Sequence, residues 1–229
     1  MNISVIIPAL NEAANIVRAV QTSWRAGADE VIVVDGGSTD STLAIAESLS
    51  CKVVSSQSGR AVQQNVGAEL ASGDILLFQH ADNWFAKDVF SQIRSTMQDD
   101  NILAGAFRQR IDADTRIYRI IEHQNAQRVR RSGIAFGDQG LFFRREVFFR
   151  LGGFPKVKFM EDLVLMKKFS AESHPVLLPG PLYISARRWQ KHGVVRQTLR
   201  NSLLIAAHRL GASPDHLARF YLQHDRAAK

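Results

Sequence analysis

Short apolar runs rich in β-branched residues alternate with longer amphipathic stretches through the first third of the chain. Residues 3–8, 30–34, 52–55 and 74–78 read as strands, and 12–26, 39–50 and 60–71 as the helices between them. Strands spaced by helices of this length form βαβ units that feed a mainly parallel sheet. Val5-Ile6-Ile7 and Val31-Ile32-Val33-Val34 do not alternate with polar residues, as strands covered on both faces should not. Beyond residue 85 the pattern predicts a helix over 86–98, a strand over 102–110 and an Arg-rich helix over 115–131. A strand over 140–144 and helices over 145–151 and 160–171 follow. No repeat, low-complexity tract or linker interrupts the pattern, so the expectation is α/β: one domain with a Rossmann-like, mainly parallel sheet flanked by helices.

A length of 229 residues at 45% hydrophobic content suits one complete core over 1–229 rather than two. Cys51 is the single cysteine and excludes an intrachain disulfide. The opening MNISVIIPALNE has no basic leader and breaks its apolar run at Pro8, so no signal peptide is expected. No apolar stretch reaches the roughly 20 residues of a membrane-spanning helix. A reducing, cytoplasmic setting is the expectation, with peripheral attachment to the inner face of a membrane left open. The net charge of +7 sits entirely in the tail. Residues 183–229 carry nine Lys or Arg against Asp215 and Asp225, while the body is charge-balanced. Such an arm suits phosphates on a substrate, a lipid surface or a polynucleotide. Within it, Val195, Leu199, Leu203, Ala206 and Leu210 fall at helical spacing beside Arg196, Arg200 and Arg209. That stripe either packs on the domain or meets a membrane surface or partner. The tail has no zinc-ligand spacing and no pattern of exposed aromatics between its arginines for stacking bases, so nucleic acid is not an expected partner.

Ligands of such sheets bind beyond the carboxyl ends of the strands. There the sequence places Pro8-Ala9-Leu10-Asn11-Glu12, Asp35-Gly36-Gly37-Ser38-Thr39-Asp40 and Gln79-His80-Ala81-Asp82-Asn83. Each of these turns is also what helix capping and tight turning require. No G-x-G-x-x-G follows the first strand and no P-loop occurs anywhere, so a bound phosphate needs another source of positive charge. A divalent cation held by carboxylates is the usual alternative, and Asp82 is the best-placed candidate.

These turns, together with Glu161-Asp162, resemble the ordered motifs of family 2 glycosyltransferases with the GT-A fold. The likeness is closest to a small subgroup with Gly59-Arg60, Gly137-Asp138-Gln139-Gly140 and Ser185-Ala186-Arg187-Arg188-Trp189. The resemblance implies inverting transfer of a sugar from a nucleoside diphosphate donor, usually a uridine one, to an acceptor that the sequence does not identify and that is lipid-linked in one reading. It assigns 1–82 to nucleotide binding, 83–182 to the acceptor half and 183–229 to a basic helical segment. By the same resemblance Pro8, Ala9, Asn11, Glu12, Asp35, Gly36, Arg60, His80 and Ala81 surround the nucleotide, with Asp35 meeting the base. Asp82 would hold Mn²⁺ or Mg²⁺, with His80 or a late histidine, His192, as further ligands or as structural residues. His80 departs from the family's D-x-D, and a neutral imidazole suits Mn²⁺ better than Mg²⁺. Asp162 is the expected base, with Glu161 its competitor, since neighbours on a helix diverge by about 100°. Asp138, Gln139 and Trp189 would touch the acceptor or donor sugar, and Arg187 and Arg188 the diphosphate. A sugar-nucleotide pyrophosphorylase would share the first half but needs a glycine-rich basic loop where Ala9-Leu10-Asn11-Glu12 stands.

Overall fold

The computed structural model describes the backbone of residues 1–226 and the side chains of 1–220; residues 227–229 of the expected basic segment lie outside the described residues. Strands β1 (Ile3–Ala9), β2 (Glu30–Asp35), β3 (Lys52–Ser55) and β4 (Ile75–Phe78) alternate with helices α1 (Ile16–Ala26), α2 (Thr42–Glu47) and α3 (Arg60–Leu70), as their apolar runs predict. They pair in parallel in the order β3-β2-β1-β4. The two-sided burial has a direct cause. Val5 and Ile7 face the layer with Ile16, Val20 and Phe90, whereas Ile6 faces the opposite layer with Phe78, Phe148 and Leu165. A strand with a core on each side has no use for a polar alternate.

The second half follows as β5 (Asn83–Phe85), α4 (Ser91–Thr96), β6 (Ala104–Ile111), α5 (Arg116–Ser132), β7 (Phe142–Arg144), α6 (Arg145–Arg150), α7 (Glu161–Ser170) and β8 (Val176–Ile184). A single turn of 3₁₀ helix, Gly137–Gln139, lies before β7. These strands complete an eight-stranded sheet, β3-β2-β1-β4-β7-β6-β8-β5. Here the sheet turns mixed: β7 is antiparallel to β4 and β6, β8 is parallel to β6, and β5 is antiparallel to β8. Two strands escape the sequence pattern. β5 has three residues, and β8 carries Pro179-Gly180-Pro181, which remove donors and side-chain packing from the middle of a strand.

The expected first helix starts four residues late, at Ile16, because Glu12 to Asn15 form a turn in which Thr42 Oγ1 holds the Glu12 amide at 2.8 Å. The tail forms α8 (Arg187–His192), α9 (Val194–Arg209) and α10 (Pro214–Arg226), with Gly193 at φ 80° between the first two. Met160, Leu163, Leu204 and Leu217 form a small third core under these helices. Of the two placements open to the apolar stripe of α9, the structure takes the outward one: Gln197 and Leu204 are buried, and Val195, Leu199, Leu203 and Leu210 are exposed. No helix among the described residues is long and apolar enough to cross a membrane.

Candidate active site

The carboxyl ends of β1, β2 and β4 converge on one crevice, and their turns are locked together before any ligand is considered. Ala9 pairs with Asp35, and Gln63 of α3, 3% exposed, donates its Nε2 to Ala9 O at 2.8 Å and Val34 O at 2.9 Å. A Cβ on Gly36 would lie 2.8–2.9 Å from the Gln63 amide, so glycine is required there by close approach. Asp35 spends its carboxylate on its own turn, accepting from the Gly37 and Ser38 amides at 2.9 Å and from Ser38 Oγ at 2.5 Å. Asn11, at φ 55°, accepts from the Thr39 amide at 2.8 Å and staples the first turn to the second. These three residues therefore build the crevice wall from behind. Asp35, Asn11 and Gly36 stand outside the lining of the cavity in front, their side-chain and amide groups bonding within and between these turns.

In front of that wall lies a cavity of about 500 Å³, lined by Pro8, Ala9, Glu12, Arg60, Ala81 and Asp82 among others, with Arg187 and Arg188 over it. Arg187 Nη2 stands 2.8 Å from Glu12 Oε1 and 3.1 Å from Asp82 Oδ2, so the first residue of α8 neutralises both carboxylates that face the space. A second cavity of about 190 Å³ adjoins it and shares Arg60, His80, Asp82, Phe159 and Arg188. Its own walls include Asn83, Asp138, Asp162, Trp189 and, from α9, Gln197, Asn201, Leu204 and Ile205.

Two adjacent acids at the start of α7 take opposite roles. Glu161, 2% exposed, lies outside both linings and pairs with Arg60. Burial alone would raise its pKa, but the charge and hydrogen bond of Arg60 outweigh that and hold it below the usual carboxylate range. Asp162 faces the second cavity and accepts from the Gly137 amide at 2.6 Å and the Leu163 amide at 2.7 Å. Burial, then repulsion from Glu161, pushes its pKa up to about 6, against the opposing pull of Arg60. Such a value suits a proton acceptor working near neutrality.

His80 is held neutral, its pKa pushed down to about 4 by burial and next by the charge of Arg60. Its Nε2 and Asp162 Oδ2 both lie within 3.2 Å of the point that a Cβ on Gly137 would occupy. This imidazole nitrogen is therefore turned toward the neighbourhood of Asp162. His80 Nε2, Asp138 Oδ1 and Trp189 Nε1 are buried without a hydrogen-bond partner among the described residues, and all three belong to residues of the second cavity. Polar atoms left unpaired around one hollow are what a ligand site requires. Gln139 is fully buried and stands outside both linings; its Oε1 accepts from the Phe136 amide at 3.1 Å and Arg128 Nη2 at 2.6 Å. His192, at the end of α8, is outside both linings, because the short helix turns Arg188 and Trp189 to the cavities instead. Among the described residues no three His, Cys, Asp or Glu side chains are grouped to hold a metal ion by themselves.

Gln63 and Arg128 were not singled out by sequence. Each acts through backbone carbonyls and buried amides, which leave no motif. Arg128 donates to Ile134 O at 3.1 Å and lies 3.7 Å over the Phe136 ring, fixing the turn that presents Asp138.

Residues 4–153 match the family model for Glycosyl transferase family 2. An uncharacterized glycosyltransferase of Rickettsia bellii is 40% identical over 100 residues, 43% of this chain and 34% of that protein, so the match spans about a third of the relative's length. Among solved structures, S. aureus TarS 1-349 in complex with UDP-GlcNAc superposes with a TM-score of 0.65 at 19% identity, covering 81% of this chain and 58% of that one. The mannosyltransferase PcManGT from Pyrobaculum calidifontis, in complex with GDP-Man and Mn2+, gives 0.62 at 20% identity, covering 99% and 73%. At these identities the structural likeness speaks to the fold, which is GT-A. With the strand-tip motifs, the fold and the family model in agreement over most of the sequence, the chain belongs to glycosyltransferase family 2.

Proposed function

We propose that this chain transfers a sugar from a nucleoside diphosphate donor to an acceptor hydroxyl with inversion, using Asp162 as the base. The observation that carries the reading is the junction of the two cavities. Both border Arg60, His80, Asp82 and Arg188, and Asp162 lines only the second. A donor in the first cavity would meet an acceptor in the second at that shared wall. Asp162 would take the proton from the acceptor hydroxyl as its oxygen bonds the anomeric carbon. The bond from that carbon to the diphosphate oxygen breaks on the opposite face, and the nucleoside diphosphate leaves. Arg60 and Arg188 at the junction supply donors for phosphate oxygens.

Asp82 and the neutral His80 suit a Mn²⁺ or Mg²⁺ ion shared with the diphosphate, since such ions are commonly held by one or two carboxylates plus substrate phosphates. The cation would offset charge on the departing diphosphate. The neighbours' complexes, UDP-GlcNAc in one and GDP-Man with Mn2+ in the other, support a nucleotide-sugar donor and a divalent ion.

Calorimetric titration of UDP with and without Mn²⁺, on the wild type and on Asp82→Ala, tests the reading. Mn²⁺ should tighten UDP binding about tenfold or more in the wild type, worth ~1.4 kcal/mol, and not in the variant. UDP binding that ignores both the metal and the substitution would overturn the role of Asp82.

A further inference from the structure

Helix α9 has two working faces. Gln197, Asn201, Leu204 and Ile205 line the cavity of Asp162. On its back Val195, Leu199, Leu203 and Leu210 stand 65%, 57%, 66% and 89% exposed. Spaced by four, four and seven residues, they form one continuous stripe along the helix. Soluble surfaces usually scatter such residues singly, and a row of them marks a contact surface. Phe220 of α10 is likewise 56% exposed, and its carbonyl accepts from Arg200 Nη2 at 2.9 Å, which ties α10 to α9.

The charges around the stripe select its occupant. Arg196, Arg200 and Arg209 are on the same helix, and no acidic residue occurs between Glu172 and Asp215. A second copy packed on this stripe across a two-fold axis would bring the two sets of arginines together, and α9 itself carries no carboxylate to offset them. A surface of acyl chains under anionic headgroups complements both the leucines and the arginines. We infer that the outward face of α9 seats the chain on an anionic lipid surface, with the wall of the Asp162 cavity against that surface. The inference concerns attachment and stands apart from the choice of donor or acceptor.

The test is flotation of the full chain with vesicles of phosphatidylcholine plus phosphatidylglycerol, against phosphatidylcholine alone, at low and high salt. Leu199→Asp/Leu203→Asp is the variant, because both side chains lie in solvent and touch neither cavity. UDP calorimetry and sedimentation velocity accompany it. The wild type should float with the anionic vesicles, less so at high salt, and the variant should lose binding by on the order of tenfold or more while keeping its UDP affinity. No flotation by the wild type, or equal flotation by the variant, overturns the inference. So does a wild-type dimer that the variant dissociates while neither floats, which would assign the stripe to a second copy. Flotation without UDP binding would count against a uridine donor and leave the lipid seat intact.

Discussion

At the scale of single residues, Glu161 and Asp162 show how adjacent positions separate an acid held in an ion pair from one that faces a cavity. Arg60 takes Glu161 out of play and holds it ionised, and the same arrangement leaves Asp162 facing the cavity with its proton affinity raised. Asp162→Asn should keep UDP affinity and lower turnover by about 10²–10⁴-fold, the usual worth of general base catalysis. For the wild type, turnover should fall as pH drops through about 6, where Asp162 takes up a proton; a flat profile through that range would exclude it as the base. Stability runs the other way. A carboxyl whose folded pKa lies above the ordinary 3.8 binds its proton more tightly in the native state, so its ionisation costs stability progressively as pH rises from 3.8 to about 6. Asp162→Asn should therefore raise the melting temperature at neutral pH and leave it little changed below about pH 4, which calorimetric scans at the two pH values would measure.

At the scale of elements, the parallel half was legible because burial on both faces writes itself into uninterrupted Val and Ile runs, and because function sits where those runs stop. Asp82 lies just beyond such a run, whereas Asp162 opens a helix and was singled out through the family resemblance. What the sequence did not disclose is the bracing. Gln63 reads as one more polar residue on an amphipathic helix, yet it ties β1 to β2 by two carbonyl bonds. Gln63→Ala should cost about 1–3 kcal/mol by chemical denaturation, because it removes two buried hydrogen bonds, those to the Ala9 and Val34 carbonyls, although the Gly36 amide still reaches Ala9 O at 2.9 Å. An unchanged unfolding midpoint would mean those carbonyls find other donors. β8 was hidden for the opposite reason: the Pro179-Gly180-Pro181 run looks like a loop, and pairing with β5 and with β6, the latter through a register shift between Phe107 and Gln109, makes it a strand. Likewise, the direction of the α9 stripe depends on which face the third core claims, and spacing alone is symmetric to that choice.

Over the whole molecule, order is unevenly distributed. The strands β1, β2 and β4 lie between two extensive cores, while α8 to α10 rest on Met160, Leu163, Leu204 and Leu217. Amide exchange should follow this, with α8 and α9 opening locally and exchanging about 10²-fold or more faster than β1 and β4. Equal protection would show that the tail unfolds only with the sheet. One short helix at this weaker end reaches into both cavities at once. Arg187 bridges Glu12 and Asp82 in the first, and two residues on, Trp189 closes a side of the second. Whatever draws either carboxylate away from that guanidinium loosens α8, and α8 cannot shift without carrying the indole along. Filling the first compartment should therefore be felt in the second, through Arg187 and through the residues that the two share.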